Sequence, residues 1–179
     1  MEYGEDFRMR IELDRQGELG GKFAQTYEID SLKLHESEVR LAGRTEVHGR
    51  IQRSGNEFEL RGELQTTVEV SCGRCLRAVV LPLDAKFSER FASEVSWRTE
   101  EQHELSEQDL SLAVFDGESI ELDDLIREQI LLALPGHVLC REDCKGLCSQ
   151  CGTDLNSGPC NCESKEIDSR WEALKDLRF

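Results

Sequence analysis

From Phe58 to Val70 the chain runs Phe-Glu-Leu-Arg-Gly-Glu-Leu-Gln-Thr-Thr-Val-Glu-Val, apolar at almost every second position. A period of two places one set of side chains on a core and the other in water, and predicts a long half-buried strand. The same alternation marks Phe7–Leu13, Thr45–Ile51 and Val79–Phe91, with shorter extended pieces around Phe23–Ile29 and Val39–Ala42. Gly17, Gly20 and Gly21 interrupt the first of these, and Ser54-Gly55-Asn56 carries hairpin-turn residues between two runs. Short turns between alternating segments point to a mostly antiparallel sheet or a small open barrel. The period changes over Ser119–Pro135, where Leu122, Leu125, Ile126, Ile130 and Ala133 recur at helical spacing. Acidic residues come early in that segment, where the helix dipole favours them, and Pro135-Gly136 stops it. Ile167, Trp171, Leu174 and Leu177 predict a second short amphipathic helix at the C-terminal end.

Charge changes this picture in one region. The 179 residues carry a formal net charge of −15, with 33% charged and 38% hydrophobic residues, so the expected core is small. Residues 89–128 hold thirteen acidic and three basic side chains, a net of −10. Glu94 to Asp109 has little periodicity and reads as an acidic loop. A body this acidic repels phosphate at long range, which argues against simple RNA coating. It suits a basic partner, or a local basic spot on an acidic surface. No window approaches eighteen apolar residues, so no membrane helix is expected. The N-terminal Met1-Glu-Tyr-Gly-Glu-Asp-Phe-Arg lacks the basic and apolar regions of a secretory signal, and the expected location is cytoplasmic.

The chemistry lies in cysteine. Six of the eight cysteines fall between Cys140 and Cys162 (Cys140, Cys144, Cys148, Cys151, Cys160 and Cys162), and Cys72 and Cys75 form an earlier C-x2-C pair. Thiolates two or three residues apart can converge on one soft ion, at a Zn–S distance of about 2.3 Å. Cys148-Ser-Gln-Cys151-Gly152 has the pattern of a zinc knuckle, its glycine suited to a turn that needs positive φ. Eight thiolates and a four-coordinate ion give two Zn2+ sites of four cysteines each. Locality groups Cys148 and Cys151 with Cys160 and Cys162. Grouping Cys72 and Cys75 with Cys140 and Cys144 supposes that distant segments meet, the first pair arriving in the turn of a β-hairpin. Two such sites would take the net charge to about −19.

Rival readings of the cysteines are weaker. A disulfide framework needs an oxidising compartment. Cys144-x3-Cys148-x2-Cys151 has the spacing of an iron–sulfur motif in radical enzymes, but those resemble partial α/β barrels, a full barrel takes about 250 residues, and this motif begins late in the chain. Eight unliganded thiols in knuckle spacing would be a coincidence. Closed four-thiolate sites are structural, whereas catalytic zinc keeps an open position, and His137 is not needed as a ligand. No phosphate-binding glycine loop and no nucleophile–base constellation is visible, so no enzyme and no small-molecule substrate is expected.

The expected fold is therefore α+β. A β domain over 1–92 carries the first C-x2-C, followed by an acidic loop and strand over 93–118 and a helix over 119–136. A cysteine-rich zinc-knuckle subdomain over 137–163 and a C-terminal helix over 164–179 complete it. Three stretches together resemble the large ribosomal RNA subunit accumulation proteins, the YceD-like family of bacteria and plastids. They are Val70-x-Cys-x-Arg-Cys-Leu76, the helix Glu128-Gln-Ile-Leu-Leu-Ala-Leu-Pro135, and Cys144-Lys-Gly-Leu-Cys148-x-x-Cys-Gly-x-x-Leu-Asn156. The similarity runs over roughly residues 10 to 162. Ser149 stands where many members have proline, and other members keep the first C-x2-C while lacking much of the second block. The resemblance implies a non-enzymatic role in 23S ribosomal RNA accumulation or processing and in large-subunit assembly. Arg74, Arg77, Arg141 and Lys145 lie beside the expected ligands, where they would either meet RNA backbone or offset thiolate charge. The implied partners are a ribosomal RNA precursor, a basic ribosomal protein of the large subunit, or both. An acidic, zinc-stabilised protein–protein adaptor without RNA contact is the alternative.

Overall fold

The computed structural model describes residues 10–12, 20–29, 31–36, 38–94, 112–116, 118–162 and 170. Its architecture is α+β, a curled, half-barrel-like sheet with two cysteine clusters in the C-terminal region. In chain order the strands are β1 (Arg10–Glu12), β2 (Gly21–Tyr27), β3 (Val39–Leu41), β4 (Thr45–Ser54), β5 (Glu57–Ser71), β6 (Ala78–Ser93), β7 (Leu112–Phe115) and β8 (Ser119–Glu121), followed by the helix α1 (Leu122–Leu132).

The central element is the hairpin of β5 and β6, paired from Glu57 opposite Ala92 to Ser71 opposite Ala78. The predicted alternation of β5 is realised, with Leu60, Leu64 and Val68 fully buried and Arg61 and Gln65 exposed. Burying each such aliphatic side chain is worth about 1.5–3 kcal/mol. β4 pairs with the lower part of β5 and β3 with its upper part, Val39 opposite Val70, so one edge of β5 serves two short strands. β2 closes on β4. The β4–β5 turn is the two-residue loop Gly55-Asn56, with φ +63° at Gly55, as in the primed turns whose twist matches a hairpin. Along its other edge, among the described residues, β6 is paired only at Arg90–Ser93, by β7. Pro82 therefore sits on an edge, where its missing N–H costs no ladder bond.

The sheet is mostly antiparallel, as expected, with β7 running parallel to β6. Phe115 of β7 meets Phe58 edge-to-face, the ring centroids 5.9 Å apart. One feature departs from the sequence expectation: the helix does not span 119–136. Ser119–Glu121 is a strand paired with Arg10–Glu12, and α1 begins only at Leu122 and ends at Leu132. A pairing with residues more than a hundred positions away overrides the local helical period. Leu122, Leu125, Ile126 and Ile130 nevertheless form the buried face as predicted, packed with Ile11, Leu32, Leu34 and Leu41 in one core. Tyr27 anchors the sheet to α1 through a 2.7 Å hydrogen bond to Asp123 Oδ1. Most of the expected acidic loop, and all of the C-terminal helix over 164–179 but Arg170, lie outside the described residues, Trp171 included.

Candidate metal centre

The tip of the β5–β6 hairpin turns inside Cys72–Arg77. Cys72 N–H donates to the Arg77 carbonyl at 2.8 Å, and Leu76 N–H to that of Cys72 at 2.9 Å, with Leu76 at φ +60°. This tight turn aims Cys72 and Cys75 to one side. After α1 the chain passes Pro135 and Gly136 and docks there, Gly73 N–H donating to the Val138 carbonyl at 2.8 Å. Docking delivers Cys140 and Cys144 to the sulfurs of the tip. Cys72 Sγ lies 3.9 Å from Cys144 Sγ, and Cys75 Sγ lies 3.6 Å from Cys140 Sγ. Cys72 and Cys144 are essentially inaccessible to water.

The second cluster forms within fifteen residues. Cys148 N–H donates to the Thr153 carbonyl at 2.8 Å and Gly152 N–H to that of Cys148 at 2.9 Å, with Gly152 at φ +74°. That turn points Cys148 and Cys151 at Cys160 and Cys162. In each foursome all sulfurs lie within 4.8 Å of one another, and the foursomes are Cys72, Cys75, Cys140, Cys144 and Cys148, Cys151, Cys160, Cys162. Both are positioned to hold a metal ion. His137 is exposed and belongs to neither.

The donor set fits a soft, four-coordinate cation. Four thiols packed together cannot all ionise without a counter-charge, and the protonation pattern is split accordingly. In the first cluster, backbone N–H groups of Arg74, Cys75 and Cys140 draw Cys72 down to about 6. Burial and the neighbouring sulfurs push Cys140 up to about 12. In the second, the Thr153 hydroxyl and N–H draw Cys151 down to about 6. The Cys151 sulfur, together with burial, pushes Cys162 up to about 12. N–H donors aimed at sulfur, including Cys140 N–H to Cys72 Sγ and Gln150 N–H to Cys148 Sγ at 3.4 Å, suit thiolates better than thiols.

A loop belonging to the second cluster braces the first. Asn156 donates from Nδ2 to Cys144 Sγ at 3.5 Å. Its Oδ1 accepts from Lys145 N–H and from Arg141 Nη2, both at 2.8 Å. Asp154 accepts from Asn156 N–H at 2.9 Å and pairs with Arg77 at 3.2 Å. Leu147 and Asp154 form a β-bridge, and Leu147 N–H donates to the Arg74 carbonyl at 3.2 Å. Gly146, at φ +75°, lies against Arg74, where a Cβ would come within 3.0 Å of the Arg74 carbonyl oxygen. Asn156 and Asp154 are the residues that cysteine spacing alone does not single out, although both stand in the Asp-Leu-Asn that follows the knuckle glycine.

Of the four cations beside the cysteines, three have acceptors within the chain. Arg74 Nη1 donates to the Cys144 carbonyl at 2.8 Å, Arg77 pairs with Asp154, and Arg141 bonds Asn156 and lies 3.2 Å from Asp143. Lys145 is exposed and its ammonium meets no acceptor among the described residues.

A family model described as "Large ribosomal RNA subunit accumulation protein YceD" matches residues 60–178, a span that contains all eight cysteines. An uncharacterized protein of Mycobacterium tuberculosis is 36% identical over 106 residues, 59% of this chain and 48% of that protein. The chain thus spans about half the length of the mycobacterial relatives it matches. The chloroplastic large ribosomal RNA subunit accumulation protein YCED homolog 1 of Arabidopsis thaliana is 34% identical over 59 residues, 33% of this chain and 18% of that protein. The uncharacterized protein YlbN of Bacillus subtilis is 23% identical over 157 residues, 87% of each chain. No solved structure matches.

Proposed function

Because the chain belongs to the YceD family of ribosome-biogenesis factors, which are not enzymes, we propose that it promotes 23S ribosomal RNA accumulation and large-subunit assembly, with two structural Zn2+ ions. The observation that carries this reading is the family match over residues 60–178, which takes in the hairpin tip and both cysteine clusters. In this reading Cys72, Cys75, Cys140 and Cys144 hold one ion, and Cys148, Cys151, Cys160 and Cys162 the other. The sheet is the scaffold and the cysteine-rich segment is a rigid attachment on its hairpin tip. The closed four-thiolate donor sets, the first of them largely buried, favour a structural over a catalytic metal. No helix among the described residues is long and apolar enough to cross a membrane, and we place the protein's work in the cytoplasm, where ribosomes assemble.

Near the clusters, Arg74, Arg77 and Arg141 serve chiefly to hold the segment together, since each has an acceptor in the chain. Lys145 is the cation there best placed to meet phosphate. This internal use of three cations, with the net charge of −15, supports a second reading in which the protein is an adaptor for a basic ribosomal protein and touches no RNA.

The test is a ribosome sedimentation profile with 23S and 16S RNA quantified after depletion of the protein from its own cell. A selective fall in large subunits and 23S RNA is expected, and balanced subunits with normal 23S RNA would overturn the assignment. Nuclease treatment then separates the two readings, because an adaptor would keep its ribosomal-protein partner.

A further inference from the structure

On the outer face of the sheet, Lys22 stands directly opposite Arg50, and Arg50 directly opposite Arg61. Three cations thus lie in one cross-strand row, on strands about 4.8 Å apart. Like charges placed opposite one another destabilise a sheet. A chain with 37 acidic and 22 basic residues has ample acid to avoid this arrangement, yet keeps it. In the neighbouring row His48 faces Glu63 and Glu63 faces Lys86. These six side chains line a groove of about 660 Å³ that runs over the backbone of Gly49 and Gly62.

The partners already present do not neutralise the groove. Arg61 is held by Glu59, at 2.7 Å from Nε and 2.6 Å from Nη2. Glu63 is shared between His48 at 2.9 Å and Lys86 at 3.9 Å. Among the described residues no hydrogen bond or ion pair ties Lys22 or Arg50, and Arg50 feels Glu59 only at longer range. With Glu59 counted, the groove holds four permanent cations against two acids.

The floor of the groove is strand backbone. Gly49 and Gly62 face each other across β4 and β5. On the core side the ring atoms of Phe23 and Phe87 come where their Cβ atoms would stand, within 2.7 and 2.5 Å. The rings support the strands from inside, and among the described residues the groove's outer lining carries no Phe, Tyr or Trp ring, its one imidazole, His48, being tied to Glu63 at 2.9 Å. A groove lined by cations and lacking a Phe, Tyr or Trp platform suits phosphates better than bases.

We infer that this groove binds the phosphodiester backbone of RNA without regard to sequence, at a surface separate from the cysteine clusters. From Arg61 to Cys72 the strand covers about 35 Å, so Lys145 and the groove are different contacts. The inference rests on the proposed role in 23S RNA accumulation and supplies that role with an RNA-binding face on an otherwise acidic body.

The test uses the full zinc-loaded chain, a labelled transcript of a 23S RNA segment, and a polyglutamate peptide as a competing polyanion. The variant is K22A/R50A/K86A, and the control is Arg40→Ala, whose side chain pairs with Glu69 outside the groove. Removal of three opposed or weakly paired cations should leave the melting temperature unchanged or raised. RNA affinity of the triple variant should fall at least tenfold near 0.1 M salt. The slope of log affinity against log salt should flatten by about two, since each phosphate neutralised on a single strand accounts for ~0.7 of that slope. Arg40→Ala should bind as the wild type does. Equal RNA affinity in the triple variant and wild type, no RNA binding by the wild type, or polyglutamate binding as tight as RNA would each overturn the inference. Complementation of depleted cells keeps the two claims apart. Normal large subunits restored by the triple variant contradict the groove alone, whereas normal 23S RNA after depletion contradicts the assembly role itself.

Discussion

The two cysteine clusters share a donor set and differ in almost everything that makes them. The first joins a hairpin tip to a segment some seventy residues later, and its Cys72 and Cys144 are sealed from water. The second closes within fifteen residues, and Cys151 is exposed. The first exists only if β5, β6 and the chain after α1 are in place, so it reports on the whole fold. The second needs a knuckle turn and the return of Cys160 and Cys162. Its loop then lends Asn156 and Asp154 to the first. The lesson is one of range: the second cluster draws its ligands from one short segment, whereas the first needs both the hairpin tip and the loop that the second cluster holds.

That asymmetry can be broken experimentally, and the largest effect is expected from the ligands. Cys144→Ser should remove one zinc per chain and open residues 137–147 and the hairpin tip to protease, because metal binding there supplies folding free energy. Cys151→Ser should also remove one zinc, with cleavage confined to residues 148–162 and slower loss at the tip. Unchanged protease resistance of residues 137–163 in both variants would contradict a structural metal.

Next in size is a change far from sulfur. Leu64→Ala empties a fully buried position in β5 and should cost about 2–5 kcal/mol in denaturant unfolding. Zinc should leave the first cluster at lower denaturant than in the wild type, while the second retains its ion to the original midpoint. Parallel loss from both would mean that they form one unit. Asn156→Ala is a finer cut. It removes the amide from Cys144 and the acceptor of Lys145 N–H and Arg141. Loss of such a supporting partner costs about 10–100-fold in metal affinity, and competition with a chelator should show it at the first cluster.

The smallest effect is in pH, and the clusters should behave alike. Without metal, Cys140 and Cys162 are pushed up to about 12 and stay protonated near neutrality. Each must lose its proton when a cation binds, so affinity rises with pH through the neutral range. Below about 6, Cys72 and Cys151 take up protons as well, and the dependence steepens. Calorimetry in buffers of different ionisation enthalpy should find at least one proton released per ion at pH 7.5.

What the sequence makes legible follows from range. The alternation of Leu60, Leu64 and Val68 states which face of β5 is buried, because the period of a strand is local. The C-x2-C between two alternating runs lies at a hairpin tip for the same reason. Ser119–Glu121 reads as helix in the sequence because its partner, Arg10–Glu12, lies at the other end of the chain and leaves no mark in the local period. The parallel partner of β6 is hidden likewise. Lys22, Arg50 and Arg61 become a row only through the register of three strands, and Asn156 gains its role only once Cys144 is docked beside it.

The most direct test of the central claim is native mass spectrometry of zinc-loaded wild type beside C75S/C140S and C75S/C160S. The account predicts two zinc ions in the wild type, one in C75S/C140S, whose changes fall in the same cluster, and none in C75S/C160S, whose changes fall in both. Two lost ions in the first variant, or one retained in the second, would contradict the division of the eight cysteines into these two sites.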